Sequence, residues 1–123
     1  MKDTGLLISK LENGSQADII EGNLGIYKGA IYENIIADIF AKNEKELYYF
    51  EKNSTLEMDF IIRYKGKATA VEVKSSDNTK SKSMKSLIDN YGLEQGIKLS
   101  MKNVGISEDR KVISLPIYMA IFL

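Results

Sequence analysis

Apolar residues recur along this chain at two spacings, and the changes between them divide it into elements. Near the start, "DTGLLISKL" carries Leu6, Leu7 and Leu11 on one helical side behind Asp3, a residue type that caps helix N-termini. The next stretch, "ENGSQADIIEGNLGIYKG", is dense in turn formers and predicts irregular backbone. Helical spacing is clearest over residues 29–42, "GAIYENIIADIFAK", where only Asn34 and Asp38 share a distinctly polar side. Glu33 projects between Phe40 and Ala37, inside the mostly apolar arc, which is an odd place for a free carboxylate.

The period then drops to two. "ELYYFEK" is a strand by composition, and alternation continues over residues 55–64 and 67–75. A helix returns in "SMKSLIDNYG", with Met84, Leu87, Ile88 and Tyr91 at i, i+3, i+4 and i+7 and a stop at Gly92. "GIKLSMK" alternates Ile97, Leu99 and Met101 as a fourth strand, and "KVIS" makes a short fifth. Pro116 suits the first turn of a closing helix in "PIYMAIF", although the same residues would serve an edge strand. A helix joining the third and fourth strands requires a parallel, right-handed crossover. The predicted order is therefore helix, three-strand meander, helix, strand, strand: an α/β fold with a mixed sheet covered by helices.

Alternation also places the hairpin's charges. Leu56, Met58, Phe60 and Ile62 would share one face of the second strand, with Glu57, Asp59 and Ile61 on the other. In the third strand Thr69, Val71 and Val73 oppose Ala70, Glu72 and Lys74. A two-residue loop at Lys65-Gly66 makes the apolar faces coincide with Phe60 opposite Val71. The same register sets Asp59 opposite Glu72, and Glu57 opposite Lys74. Like charges across a strand pair are destabilising, so a positive group is expected nearby. One reading is a solvated hairpin on which Glu57 pairs with Lys74. The other is a cation held between Asp59 and Glu72, with Glu33 as a third acid.

Composition narrows the chemistry. At 123 residues the chain is long enough for one domain with a real core, residues 1–28 forming its lead-in. It has no histidine and no cysteine, which excludes imidazole and thiolate catalysis, disulfides and zinc–thiolate sites. Carboxylates, lysines, tyrosines and backbone remain, and they favour a hard, oxygen-liganded metal such as magnesium or manganese. Seventeen basic and seventeen acidic side chains cancel overall. Their distribution is uneven, at minus five over residues 1–59, plus five over 60–85 and zero beyond. No apolar run is long enough to span a membrane, and the start lacks a signal-peptide core, so the expected location is the cytoplasm with no membrane partner.

The pattern Glu33, Asp59 and Glu72-Val73-Lys74 on helix, strand and strand resembles the PD-(D/E)XK nuclease superfamily, with Met58 where the motif's name has proline. More closely, "DTGLL", "YKGAIYENIIADIF", "YYFEKNSTLEMDFII" and "AVEVKSS" resemble the nuclease-like domain of unknown function that follows the core of bacterial and archaeal AAA-type ATPases. This likeness covers almost the whole chain and implies a restriction-endonuclease-like three-layer α/β/α fold. It also implies that the chain was excised from a longer protein whose ATPase portion is its partner. No GxxxxGK[ST] phosphate loop occurs in the sequence, so ATP hydrolysis would belong to that other portion.

The resemblance further implies catalytic roles for Glu33, Asp59, Glu72 and Lys74. Asp59, Glu72 and the Val73 carbonyl would hold the divalent metal, and Lys74 would orient water or stabilise developing charge. Lys80, Lys82 and Lys85, near the start of the second main helix, would contact nucleic acid, DNA before RNA; the plainer reading is a solvated helix end. Tyr27, Tyr32, Tyr48, Tyr49, Phe50 and Tyr91 go to packing by default. The leading expectation is a metal-dependent nuclease domain. The alternative is a catalytically silent module that grips nucleic acid or protein for the ATPase. A purely structural dimerisation domain leaves Glu33 unexplained.

Overall fold

The computed structural model describes residues 3–11, 14–23, 25–53, 56–75 and 81–123. Helix α1 spans Thr4–Ser9, with the Asp3 side chain accepting from the Leu6 N–H. It has the expected cap but not the expected apolar burial: Leu6 is 52% exposed, and no residue of α1 is buried. Polar links hold it instead, from Asn34 Nδ2 to Thr4 Oγ1 and from Gln16 Nε2 to the Ile8 carbonyl. The turn-rich stretch after it, expected to be irregular, contains helix α2 (Ser15–Ile20) and a 3-10 turn (Gly25–Tyr27). Its Ser-Gln-Ala-Asp-Ile-Ile segment is free of glycine, and the turn formers lie on either side of it.

Helix α3 (Lys28–Lys42) leads into β1 (Tyr48–Lys52), β2 (Leu56–Tyr64) and β3 (Lys67–Val73). Helix α4 (Lys82–Tyr91) then crosses to β4 (Gln95–Ser100). A two-residue strand, β5 (Gly105–Ile106), precedes β6 (Val112–Pro116), and the chain closes in a 3-10 helix over Ile117–Phe122. The sheet has six strands rather than five, in the order β1-β2-β3-β4-β6-β5. The β3–β4 pair is parallel, as the intervening helix demands, whereas β1–β2 and β2–β3 are antiparallel. Strand β5 is too short to leave a periodic signal. Met101 lies beyond β4 and is 67% exposed, and Pro116 both ends β6 and stands at the N-cap of the closing 3-10 helix.

The two faces of the sheet carry separate cores, which gives three α/β/α layers. On one face Ile36 and Phe40 of α3 pack with Ile62, Val71, Val73, Ile97 and Leu99, joined by Ala120 and Leu123. On the other, Met84, Leu87 and Ile88 of α4 pack with Met58 and Ala70. Helix α4 lies so close to the sheet that a Cβ on Gly96 would sit 2.5 Å from Met84 Sδ. Gly96→Val is therefore expected to lower stability by about 2–3 kcal/mol, the usual penalty for overfilling a packed interior. Gly96→Ala should cost less, because the Met84 thioether can swing away; urea denaturation of both variants measures the difference.

The β2–β3 hairpin turns at Lys65 and Gly66, both with positive φ (51° and 78°), the two-residue turn whose twist suits the strands. Phe60 pairs with Val71 as the alternation requires. Farther along β2, the alternation breaks. Tyr48 and Phe50 are two residues apart on β1 but face Ile61 and Met58, three apart on β2. The extra residue is a bulge at Asp59-Phe60. Met58, expected on the same face as Phe60, packs instead on the α4 side together with Ile61, while Phe60 packs on the α3 side against Phe40.

Candidate metal and catalytic site

Residues Thr69 to Val73 of β3 are buried without interruption, because this strand is central and covered on both faces. Glu72 belongs to that run and is only 7% exposed. Its Oε1 accepts an ion-pair contact from Lys74 Nζ at 2.7 Å, with the Lys74 side chain 27% exposed. Among the described residues, its Oε2 is buried with no hydrogen-bond partner. Buried carboxylate oxygens are rarely left so, since the desolvation cost is not recovered. Lys74 itself is fixed beyond the end of the strand by its backbone N–H, which donates to the Leu99 carbonyl at 2.8 Å.

Asp59 arrives from the neighbouring strand through the bulge. The β2–β3 pairing runs from Tyr64↔Lys67 to Phe60↔Val71. At the next step Asp59 Oδ2 accepts from the Val73 N–H at 2.6 Å. The expected cross-strand pairs, Asp59 with Glu72 and Glu57 with Lys74, are thus replaced by a side chain bridging to backbone. The bulge turns the strand at this point and inserts the carboxylate into the opening. Burial is the main cause that raises the Asp59 pKa, and the Glu72 charge raises it further. The Val73 hydrogen bond and Lys74 oppose the shift.

Glu33 approaches from α3. It is solvent-exposed rather than sunk in the apolar arc, because Ile31, Ile36 and Phe40 take the buried side of the helix. Nearby protein still removes enough water to raise its pKa, and Asp59 and Glu57 add to the effect while Lys74 reduces it. Glu33, Asp59, Glu57 and Lys74 therefore share one electrostatic neighbourhood. Among the described residues, however, no three acidic side chains converge tightly enough to form a ready-made cation cage. The pair Asp59 and Glu72 with adjacent backbone is the narrower arrangement.

Of the basic residues, Lys82 and Lys85 are exposed on α4, and Lys80 lies outside the described residues. Lys98, between Ile97 and Leu99 on β4, stands next to Glu72 in the parallel β3–β4 register, with Ser114 beside it on β6. A lysine between two core residues was the signal available, but only the strand order could put it beside Glu72.

A family model described as "Domain of unknown function (DUF4143)" matches residues 28–118. The chain belongs to the DUF4143 family. No curated protein and no solved structure matches it. The portion shared with DUF4143 begins at the first residue of α3 and includes Glu33, Asp59, Glu72 and Lys74. All six strands of this DUF4143 domain lie within it. Among the described residues, no helix is long and apolar enough to cross a membrane.

Proposed function

We propose that this DUF4143 domain is a metal-dependent nuclease of PD-(D/E)XK type, hydrolysing phosphodiester bonds of DNA or RNA beside an AAA-type ATPase portion of a longer chain. The observation that carries the reading is Glu72: a buried carboxylate with one oxygen on Lys74 and the other unpartnered among the described residues, one strand away from Asp59. Such an oxygen is what a cation would satisfy. Asp59, Glu72 and the Val73 carbonyl would hold magnesium or manganese, which would supply an activated water and neutralise phosphate charge.

The chain's own residues have separable tasks. Lys74, anchored by its backbone to Leu99 and paired with Glu72, presents an ammonium where negative charge would develop. Glu33, with a raised pKa and an exposed side chain, can exchange a proton with solvent at the edge of the site. A cleavage assay on single-stranded, duplex and branched DNA and on RNA, with magnesium or manganese, tests the assignment. Lys74→Ala should lose about 10²–10³-fold in rate, the scale for removing one electrostatic stabiliser. Cleavage persisting in excess EDTA, or an undiminished Lys74→Ala enzyme, would overturn it.

A second reading is a module of the same fold that binds nucleic acid or protein without hydrolysis. The absence of a three-acid cage among the described residues favours it, as does the Asp59 bond to Val73, which occupies one ligand oxygen. The same assay decides, because this reading gives no cleavage with either ion.

A further inference from the structure

We propose that the groove between α4 and the β1–β2 edge binds an unpaired nucleotide of a single strand, its phosphate on Lys52 and Lys82 and its base against Tyr91. The groove is about 380 Å³ in volume, and besides these three residues it is walled by Asn53, Leu56, Ser83 and Ser86. Among the described residues, no acidic side chain lines it. The larger cavity on the other flank of α4, about 560 Å³, includes Lys85 and Lys98 but also Asp89, Glu108 and Asp109, a mixture that disfavours a polyanion.

Strand alternation separates the charge. Phe50 and Leu56 pack toward α4, and Lys52, directly opposite Leu56, shares their side. The paired acids Glu51 and Glu57 fall on the opposite face, where Glu57 acts on Glu33 of α3. The basic face is therefore the one toward the groove.

Tyr91 supplies a surface for a base. Its ring meets Phe50 edge-on at 5.1 Å between centroids and remains 43% exposed. Lys52 Nζ donates to the Tyr91 hydroxyl at 2.8 Å and lies 5.3 Å from the ring centre. That distance sets the ammonium off the rim of the phenol, near its oxygen, rather than across the ring. An ammonium beside an exposed aromatic face matches the phosphate-and-base repeat of a single strand, in which bases are free to stack. Duplex bases are already stacked on one another and could not enter. Leu56, at the groove wall, precedes Asp59 by three residues, or about 10 Å of strand, so a strand lying in the groove is within one or two nucleotides of the acids.

This inference rests on the proposed nuclease reading for its place in a reaction, but its test is independent of cleavage. Fluorescence anisotropy in EDTA would compare a labelled oligothymidylate, an oligouridylate and a blunt DNA duplex on the full chain. The single strands should bind at least about ten-fold more tightly than the duplex, and Tyr91→Leu should remove about ten-fold of that affinity while Tyr91→Phe retains it. Lys52→Gln with Lys82→Gln should weaken single-strand binding and flatten its salt dependence by roughly 0.7 in log–log slope per lost contact. Both lysines are exposed, so this variant should fold and keep the test valid even if Tyr91→Leu does not. Unchanged single-strand affinity in the double-lysine variant overturns the proposal, as does a duplex bound equally well. Wild-type cleavage with normal cleavage by the lysine variant would discard the groove alone. Groove-dependent binding with no cleavage under any ion would discard the nuclease reading alone.

Discussion

Glu72→Ala should abolish magnesium- or manganese-dependent cleavage, with a fall of about 10³-fold or more, the largest activity effect of any single change in this domain. The substitution removes two things together: the carboxylate whose Oε2 has no partner among the described residues, and the partner that holds Lys74 in place. Glu72→Gln is the sharper version. It preserves volume and one acceptor for Lys74 but lacks the charge that a cation requires, so it should be nearly as inactive while remaining folded. Initial rates on the best substrate, measured beside the thermal melt of each variant, separate lost chemistry from lost structure. An active Glu72→Gln enzyme would remove Glu72 from the site.

Asp59→Asn should have the opposite effect on stability. In the metal-free protein the Asp59 charge is half-buried and next to Glu72, and its pKa is raised accordingly. The folded state then holds this proton more tightly than the unfolded chain does. Ionisation therefore costs stability above the folded pKa, and the cost disappears as pH falls below the ordinary carboxylate range. Asparagine keeps an oxygen to accept from the Val73 N–H while removing the charge. At neutral pH the variant should be more stable than wild type by about 1 kcal/mol, or roughly 4 °C in Tm for a chain of this size. The gain should shrink steadily on acidification. Magnesium at ten times its Kd should raise wild-type stability by about 1.4 kcal/mol and leave Asp59→Asn nearly unmoved. Melts across pH, with and without the ion, check both halves. A wild-type Tm indifferent to millimolar magnesium and manganese would mean that these carboxylates hold no cation.

The local rules of the chain settled much on their own. Periodicity located α3, α4 and the main strands because each buries a continuous apolar stripe, and such stripes are written in the order of residues. The Asp3 cap, the Gly92 stop and the Lys65-Gly66 turn follow from single residues with strong backbone preferences. The parallel orientation of β3 and β4 follows from the helix between them. Glu72 and Lys74 on one side of a strand needed only the two-residue repeat, and their 2.7 Å contact is its direct result. The absence of histidine and cysteine fixed the available chemistry before any folding.

Tertiary structure decided what local pattern could not hold. Strict alternation put Met58 and Phe60 on one face, but the bulge divides them between the two cores and brings Asp59 to the Val73 N–H. A bulge is a mismatch between two strands, so neither strand records it alone. Glu33 looked buried on a helical wheel, yet the rotation of α3 over the sheet is set by how Ile36 and Phe40 fit against Ile62, Val71 and Leu99, and that rotation leaves it exposed. Tyr91 satisfied the helical spacing of a core residue, but the reach of β1 ends beside it, so its ring is left partly open next to Lys52. Lys98 came to stand beside Glu72 only because β4 inserts next to β3 rather than at the edge of the sheet. Burial and proximity between distant segments depend on strand order and helix rotation, which minimise the free energy of the whole packed molecule and not of any one segment.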